Sequence, residues 1–154
     1  VTAAPRLILL LSGPNLALLG ERQPQIYGAE TLADHLALAE SVAAGLGFGL
    51  EHVQSESEAD LVAAVHRARG RVSGLVVNAG ALTHYGWSLR DALATFDGPV
   101  IEIHLSNPFA REPWRHTSVI APVADGSIAG FGSLGYRLAV EAAVSLVGER
   151  TASS

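Results

Sequence analysis

The sequence predicts an α/β domain: a doubly wound parallel sheet of five strands with helices on both faces. Three observations point there. Short apolar runs alternate with helical patterns along the whole chain, which is the signature of repeated βα units. Five of those runs qualify as strands. The chain has 154 residues, 49% apolar and 16% charged, so it is about one domain long and can bury roughly two thirds of the surface it exposes when unfolded.

The first strand is expected at RLILLL (6–11), leading into SGPNLALLGERQPQIYG (12–28), whose glycines and prolines make a loop. Thr31, with Asp34 three residues on, starts a capped helix, and Leu32, Leu36, Ala39, Ala43 and Leu46 form its apolar stripe up to Gly47. FGLEHVQ (48–54) is the second strand. A second helix follows Ser57, with Leu61, Val65 and Ala68 facing inward. GLVVN (74–78) is the third strand, and Ser88 and Asp91 fit the start of a helix near 86–96 that turns Leu89, Leu93 and Phe96 to the core. PVIEIHL (99–105) is the fourth strand and SIAGF (127–131) holds a short fifth. The last helix is expected over about 133–147, burying Leu138, Ala142 and Leu146. VTAAP and GERTASS are the loose ends, about 1–5 and 149–154, of a single domain spanning 1–154.

Composition excludes several function classes. Formal charge is −5 and the basic residues are scattered, which argues against a surface for nucleic acid or acidic membrane. All ten of those basic residues are arginine. Without lysine there is no Schiff-base chemistry, no anchored pyridoxal phosphate and no P-loop. Without cysteine there are no disulfides, thiolate nucleophiles or thiolate metal sites. No stretch approaches the ~20 apolar residues of a membrane span and no basic-then-apolar leader is visible, so a soluble, cytoplasmic protein is expected.

In an open α/β sheet, ligands bind beyond the carboxyl ends of the strands, near the point where strand order reverses. With a flavodoxin-like order of 2-1-3-4-5, the first, third and fourth strands are neighbours. Their ends carry Ser12 to Asn15, then Asn78, then Glu102, His104 and Ser106, so these groups are expected to converge on one crevice. The fourth strand gives the sharper signal. A central parallel strand is normally apolar on both faces, yet VIEIHL puts Glu102 and His104 on one side and Ile101, Ile103 and Leu105 on the other. A carboxylate beside an imidazole can fix its tautomer and keep it protonated, which suits a general acid; a hydrogen-bonded pair in the core reads equally well.

Arg22 and Tyr27 stand in the first loop, where neither joins a core easily. A free phenol ionises near pH 10, and neighbouring guanidiniums favour the phenolate. Tyr27 flanked by Arg22 and Arg111 is therefore a candidate tyrosinate base on a mobile lid, the plainer alternative being a loop tyrosine packed on an arginine. Arg111 lies in SNPFAREPWRHTS (106–118), a long irregular segment of the kind that is usually functional or disordered. His84, just ahead of a helix, reads either as a hydroxyl-binding group or as a solvated loop residue. GFGSLG (130–135) matches G-x-G-x-x-G, but no second crossover or acidic residue about twenty positions on follows it, so it reads as a tight strand-to-helix turn. His84, Glu102 and His104 match no zinc spacing. Neither a metal nor another cofactor is expected.

GPNLALLGERQPQIYG, NAGALTH, IEIHLSN and AREPWRHTS together resemble, in order and separation, the motifs of the type II dehydroquinases (3-dehydroquinate dehydratases), and the likeness covers roughly 6–147. The resemblance implies a single catalytic domain, a hydro-lyase converting 3-dehydroquinate to 3-dehydroshikimate by trans elimination of water through an enolate, without a cofactor. By resemblance Tyr27 is the base, with Arg22 as its activating neighbour and Arg111 helping; Asn15 holds the water that stabilises the enolate oxygen; His104, oriented by Glu102, protonates the departing C1 hydroxyl. Asn78, His84 and Arg115 match positions that bind the ring hydroxyls, and the Leu105 amide with the Ser106 hydroxyl matches the carboxylate site. Asp91 corresponds to a residue that reaches a neighbouring subunit's site in trimers, which assemble into a dodecamer. The implied setting is the shikimate pathway of aromatic amino acid biosynthesis or the breakdown of quinate.

The chain departs from the family pattern at Ala17, where asparagine is common, at Gly86 and Trp87, where small polar residues are usual, and at Trp114, where phenylalanine is typical. None removes an assigned catalytic group. Two other readings stay open: a noncatalytic flavodoxin-like module that binds a small anion or nucleotide, and a hydrolase using Ser106 or Ser133, which lacks the G-x-S-x-G elbow.

Overall fold

A strand apolar on both faces has to be covered on both, and β1 (Leu7–Ser12) is such a strand: Ile8 to Leu11 are each at most 1% exposed. In the computed structural model, which describes residues 5–153, β1 lies inside a parallel sheet. The other strands are β2 (Gly49–Gln54), β3 (Gly74–Asn78), β4 (Val100–His104) and β5 (Gly126–Ala129), in the order β2-β1-β3-β4-β5 that the sequence predicts. The helices are α1 (Pro24–Tyr27), α2 (Leu32–Gly45), α3 (Glu58–Ala68), α4 (Trp87–Ala94) and α5 (Leu134–Ala152).

Alternation along the strands divides the apolar side chains into two cores. Leu9, Leu11, Leu75 and Val77 meet Leu61 and Val65 of α3 and Leu89 and Leu93 of α4. Ile8, Leu10, Val76, Ile101 and Ile103 meet Ala39 and Ala43 of α2 and Tyr136, Ala139, Val140 and Ala143 of α5. Each buried leucine or valine contributes on the order of 1.5–3 kcal/mol relative to exposure.

Local signals hold at the start of α2. The Thr31 hydroxyl accepts the Asp34 amide at 3.1 Å and the Asp34 carboxylate accepts the Thr31 amide at 2.9 Å, a complete capping box. At α4 the expected cap is wrong. The helix begins at Trp87 with Gly86 at the cap position, and Glu58 of α3 accepts the Leu89 amide at 3.0 Å instead of Ser88 or Asp91 serving. A neighbouring helix supplies the cap because a side chain at position 86 would collide with the Leu82 carbonyl oxygen, 2.7 Å from an added Cβ.

The face of α5 also differs from expectation, whereas α2 keeps its expected face, with Leu32 and Leu36 half-buried against the core, except at Leu46. In α5 the buried line is Tyr136, Ala139, Val140, Ala143 and Val147, while Leu138, Ala142 and Leu146 are only half-buried. In α2 it is His35, Ala39 and Ala43, and Leu46 is left exposed. Both helices turn alanines to the interface because small side chains let them approach each other and the sheet. α5 also runs past 147 to Ala152, so 149–152 are helical where a loose tail is expected, and Arg150 is tied to the Asp125 carboxylate and the Asp97 carbonyl. Of the expected loose ends, residues 1–4 and 154 lie outside the described residues.

His35 is 1% exposed, both ring nitrogens lack a hydrogen-bond partner among the described residues, and its ring stacks on Tyr136 with centroids 5.0 Å apart. Burial pushes its pKa below the ordinary value of 6.5, and the Glu30 and Asp34 carboxylates pull the other way without reversing the shift. The unfolded chain therefore takes up this proton first, so the stability present above pH 6.5 is lost as pH falls below that value. His35→Phe keeps the stack and removes the titration. Its melting temperature should drop less than that of the wild type between about pH 7 and about pH 5; equal drops would show that His35 carries no such penalty.

Candidate active site

The site grows from the loops that leave the carboxyl ends of β1, β3 and β4. Gly13 donates to the Asn78 carbonyl at 2.8 Å, bringing the chain after β1 against the chain after β3. A Cβ at position 13 would sit 2.4 Å from the Ala79 carbonyl oxygen, so only glycine fits. Asn15 is left-handed at φ 69°, a conformation asparagine tolerates better than most residues, and its backbone N–H donates to the Glu56 carboxylate at 2.7 Å. Gln54 bonds both the Gly13 carbonyl, at 3.3 Å, and the Glu56 carboxylate, at 2.9 Å, fixing this turn to β2. Leu16 and Leu19 are buried below it, and α1 then delivers Tyr27. The Tyr27 ring meets two guanidiniums, Arg22 at 4.8 Å and Arg111 at 5.1 Å from its centroid.

On β4, Ile101, Ile103 and Leu105 enter the core shared with α5, which turns Glu102 and His104 to the opposite face. Glu102 is 1% exposed, and its carboxylate accepts His104 Nε2–H at 2.8 Å, the Ser118 hydroxyl at 2.8 Å and the Ser127 hydroxyl at 3.2 Å, with Thr83 donating as well. Burial alone would raise its pKa. The bonds from His104, Thr83 and Ser118 outweigh burial and hold the carboxyl below its ordinary value, so it is ionised at neutral pH. With Nε2 engaged, Nδ1 is the His104 nitrogen left for a ligand.

These loops enclose a cleft of about 190 Å³ at the carboxyl edge of the sheet. It brings together Asn15, Arg22, Tyr27, Asn78, His84, His104, Leu105, Ser106, Arg111 and Arg115, all expected from the sequence. Glu102 stands behind His104 rather than in the wall. Asp91 is not brought in: it lies on α4 beside Arg90, with its side chain 77% exposed. His84 Nδ1 donates to the Thr117 carbonyl at 2.8 Å, which leaves Nε2 as an acceptor in the neutral ring. Burial, together with the charges of His104 and Arg115, pushes the His84 pKa below its ordinary value against the pull of that bond. Trp114 contacts His84 edge-on at 5.3 Å and lies 4.0 Å beneath the Arg115 guanidinium, which also bonds Glu112 at 2.5 Å. Arg111 donates to the Ser106 hydroxyl at 3.1 Å.

Residues 6–144 match the family model described as dehydroquinase class II. The chain belongs to that family. A 3-dehydroquinate dehydratase of Desulforudis audaxviator (strain MP104C) is 54% identical over 140 residues, covering 91% of this chain and 93% of the relative. A catabolic 3-dehydroquinase 1 of Aspergillus terreus (strain NIH 2624 / FGSC A1156) is 52% identical, covering 89% and 90%. The crystal structure of the type II dehydroquinase from Propionibacterium acnes superposes with a TM-score of 0.87 at 39% identity, over 94% of this chain and 99% of that one.

Three hydroxyl residues around Glu102 are not singled out by the sequence: Thr83, Ser118 and Ser127. Thr83 and Ser118 stand inside motifs singled out above, but which carboxylate they serve depends on folding. Ser127 pairs with Glu102 across the β4–β5 register, so only strand pairing reveals it. Thr83→Val preserves shape and deletes one donor to a buried charge. It should lower stability by about 1–3 kcal/mol in urea unfolding; an unchanged midpoint would mean that the remaining donors suffice.

Proposed function

We propose that the chain is a 3-dehydroquinate dehydratase that removes water by trans elimination through an enolate. One observation carries this reading: the arginine-flanked phenol of Tyr27 and the Glu102-bonded imidazole of His104 face one cleft of about 190 Å³. A base and an acid across one small space are what stepwise elimination next to a ketone requires.

Tyr27, as phenolate, takes the proton from the carbon beside the substrate ketone. Arg22 and Arg111, whose guanidiniums lie against its ring, flank this base. The electron pair moves to the ketone oxygen, and the resulting enolate is stabilised by a water held at Asn15. When the ketone re-forms, the new carbon–carbon double bond expels the C1 oxygen, to which His104 gives a proton, so that it leaves as water. Glu102 orients the imidazole and balances its charge. Return of the proton from Tyr27 to His104 through solvent resets both groups.

Asn78, His84 and Arg115 bind the ring hydroxyls, and Ser106 with the Leu105 amide takes the carboxylate, near Arg111. Asp91 points away from its own cleft and completes the site of an adjoining copy in trimers that build a dodecamer. The domain 1–154 works as one catalytic unit, in the shikimate pathway or in quinate breakdown.

Adding 3-dehydroquinate to the purified chain should generate the ultraviolet band of a conjugated enone carboxylate. A flat trace from folded protein overturns the reading, and stabilisation by nucleotides or flavin instead would favour the binding-module alternative. Tyr27→Phe should abolish turnover with little change in melting temperature, because one hydroxyl on a loop adds little stability; a variant that still turns over would need another base.

A further inference from the structure

We propose that Tyr136, buried in α5 and outside the cleft, is a positioning residue that sets the orientation of the Asn78 carboxamide and thereby the affinity for the substrate's ring hydroxyls. This rests on the function proposed above.

Alternation along β3 puts Asn78 on the same face as Val76, toward α5. There the residue is 3% exposed, in the lining of the cleft, and its carboxamide has to be satisfied at both ends. Oδ1 accepts the Gly80 amide at 3.3 Å, and Nδ2 donates to the Tyr136 hydroxyl oxygen at 3.0 Å. Turning the carboxamide over would set its NH₂ group against the Gly80 N–H, donor to donor. One orientation remains, with one N–H and one lone pair left for a ligand in the cleft.

Tyr136 is built to hold that oxygen still. It is 0% exposed, and its ring stacks on His35 at an interplanar angle of 25°. Just before it, Gly135 packs so near the sheet that a Cβ there would lie 3.2 Å from Ile103 Cδ1. Burial pushes the pKa of the phenol up to about 12, against the pull of the Asn78 bond, so it stays neutral. Without this hydroxyl the carboxamide keeps only the longer bond from Gly80 and can swing about its last torsion. A swinging amide presents its donor and acceptor to the ring hydroxyls only part of the time.

Tyr136→Phe keeps the stack and deletes the oxygen. KM for 3-dehydroquinate should rise roughly tenfold while kcat stays within about twofold, because Asn78 meets ring hydroxyls and not the departing group. Quinate, which lacks the ketone, should lose a similar factor of affinity by calorimetry. In an Asn78→Ala background the same substitution should change neither value. Unchanged KM and quinate affinity in Tyr136→Phe, or an undiminished effect in the Asn78→Ala background, overturns the proposal. In the wild type, nitrogen-15 spectra should show one Asn78 side-chain proton protected from exchange throughout and the other shifting with quinate; two rapidly exchanging protons overturn it too. Wild-type turnover is measured first. No turnover of 3-dehydroquinate would defeat the proposed function, whereas turnover with an unaffected Tyr136→Phe would defeat only the positioning role.

Discussion

A carboxylate buried in a sheet is costly unless its charge is met by donors on several sides, and Glu102 imposes that demand on everything around it. Four segments answer. His104 comes from the same strand, Thr83 from the turn after β3, Ser118 from the end of the irregular segment, and Ser127 from β5. Ser118 also accepts the amides of Ile120 and Ala121 at 3.1 and 2.9 Å, so one hydroxyl anchors the end of the segment that bears Arg111 and Arg115. Meeting one charge thus aligns the acid candidate and holds in place the stretch of chain that carries two of the three cleft arginines.

Strand alternation then decides which core each polar side chain leaves. Asn78 departs from β3 toward α5, whereas His104 departs from β4 toward the opposite face, and both reach the cleft because it straddles the carboxyl edge of the sheet. The β1 loop closes over that edge through Gly13 and descends to Tyr27. Groups far apart in sequence, and rooted in different cores, meet there because strand ends are where both faces become accessible together.

Features governed by neighbours in sequence were legible. The Thr31–Asp34 cap, the alternation of Glu102 and His104 against three aliphatics, and the importance of 106–118 all follow from local chemistry. Features governed by neighbours in space were not. α5 is apolar around much of its circumference, with leucines on one line and alanines and valines on another, so periodicity cannot choose the face; closeness to α2 chooses it. The cap of α4 comes from α3, and the buried His35 depends on a tyrosine about a hundred residues away. Within the site, most wall residues lie inside recognisable motifs, whereas the hydroxyls around Glu102 and the phenol behind Asn78 depend on packing between elements. Asp91, expected at the site by resemblance alone, lies on the outside of this chain beside Arg90.

The cations lining the cleft other than histidine are Arg22, Arg111 and Arg115, and a guanidinium does not give up its proton in a protein. The electrostatic pull on a negatively charged guest consequently has a component that acidity and alkalinity leave untouched across the range in which the fold survives. Dissolved ions, whose screening length is about 8 Å at physiological strength, are the variable that weakens it.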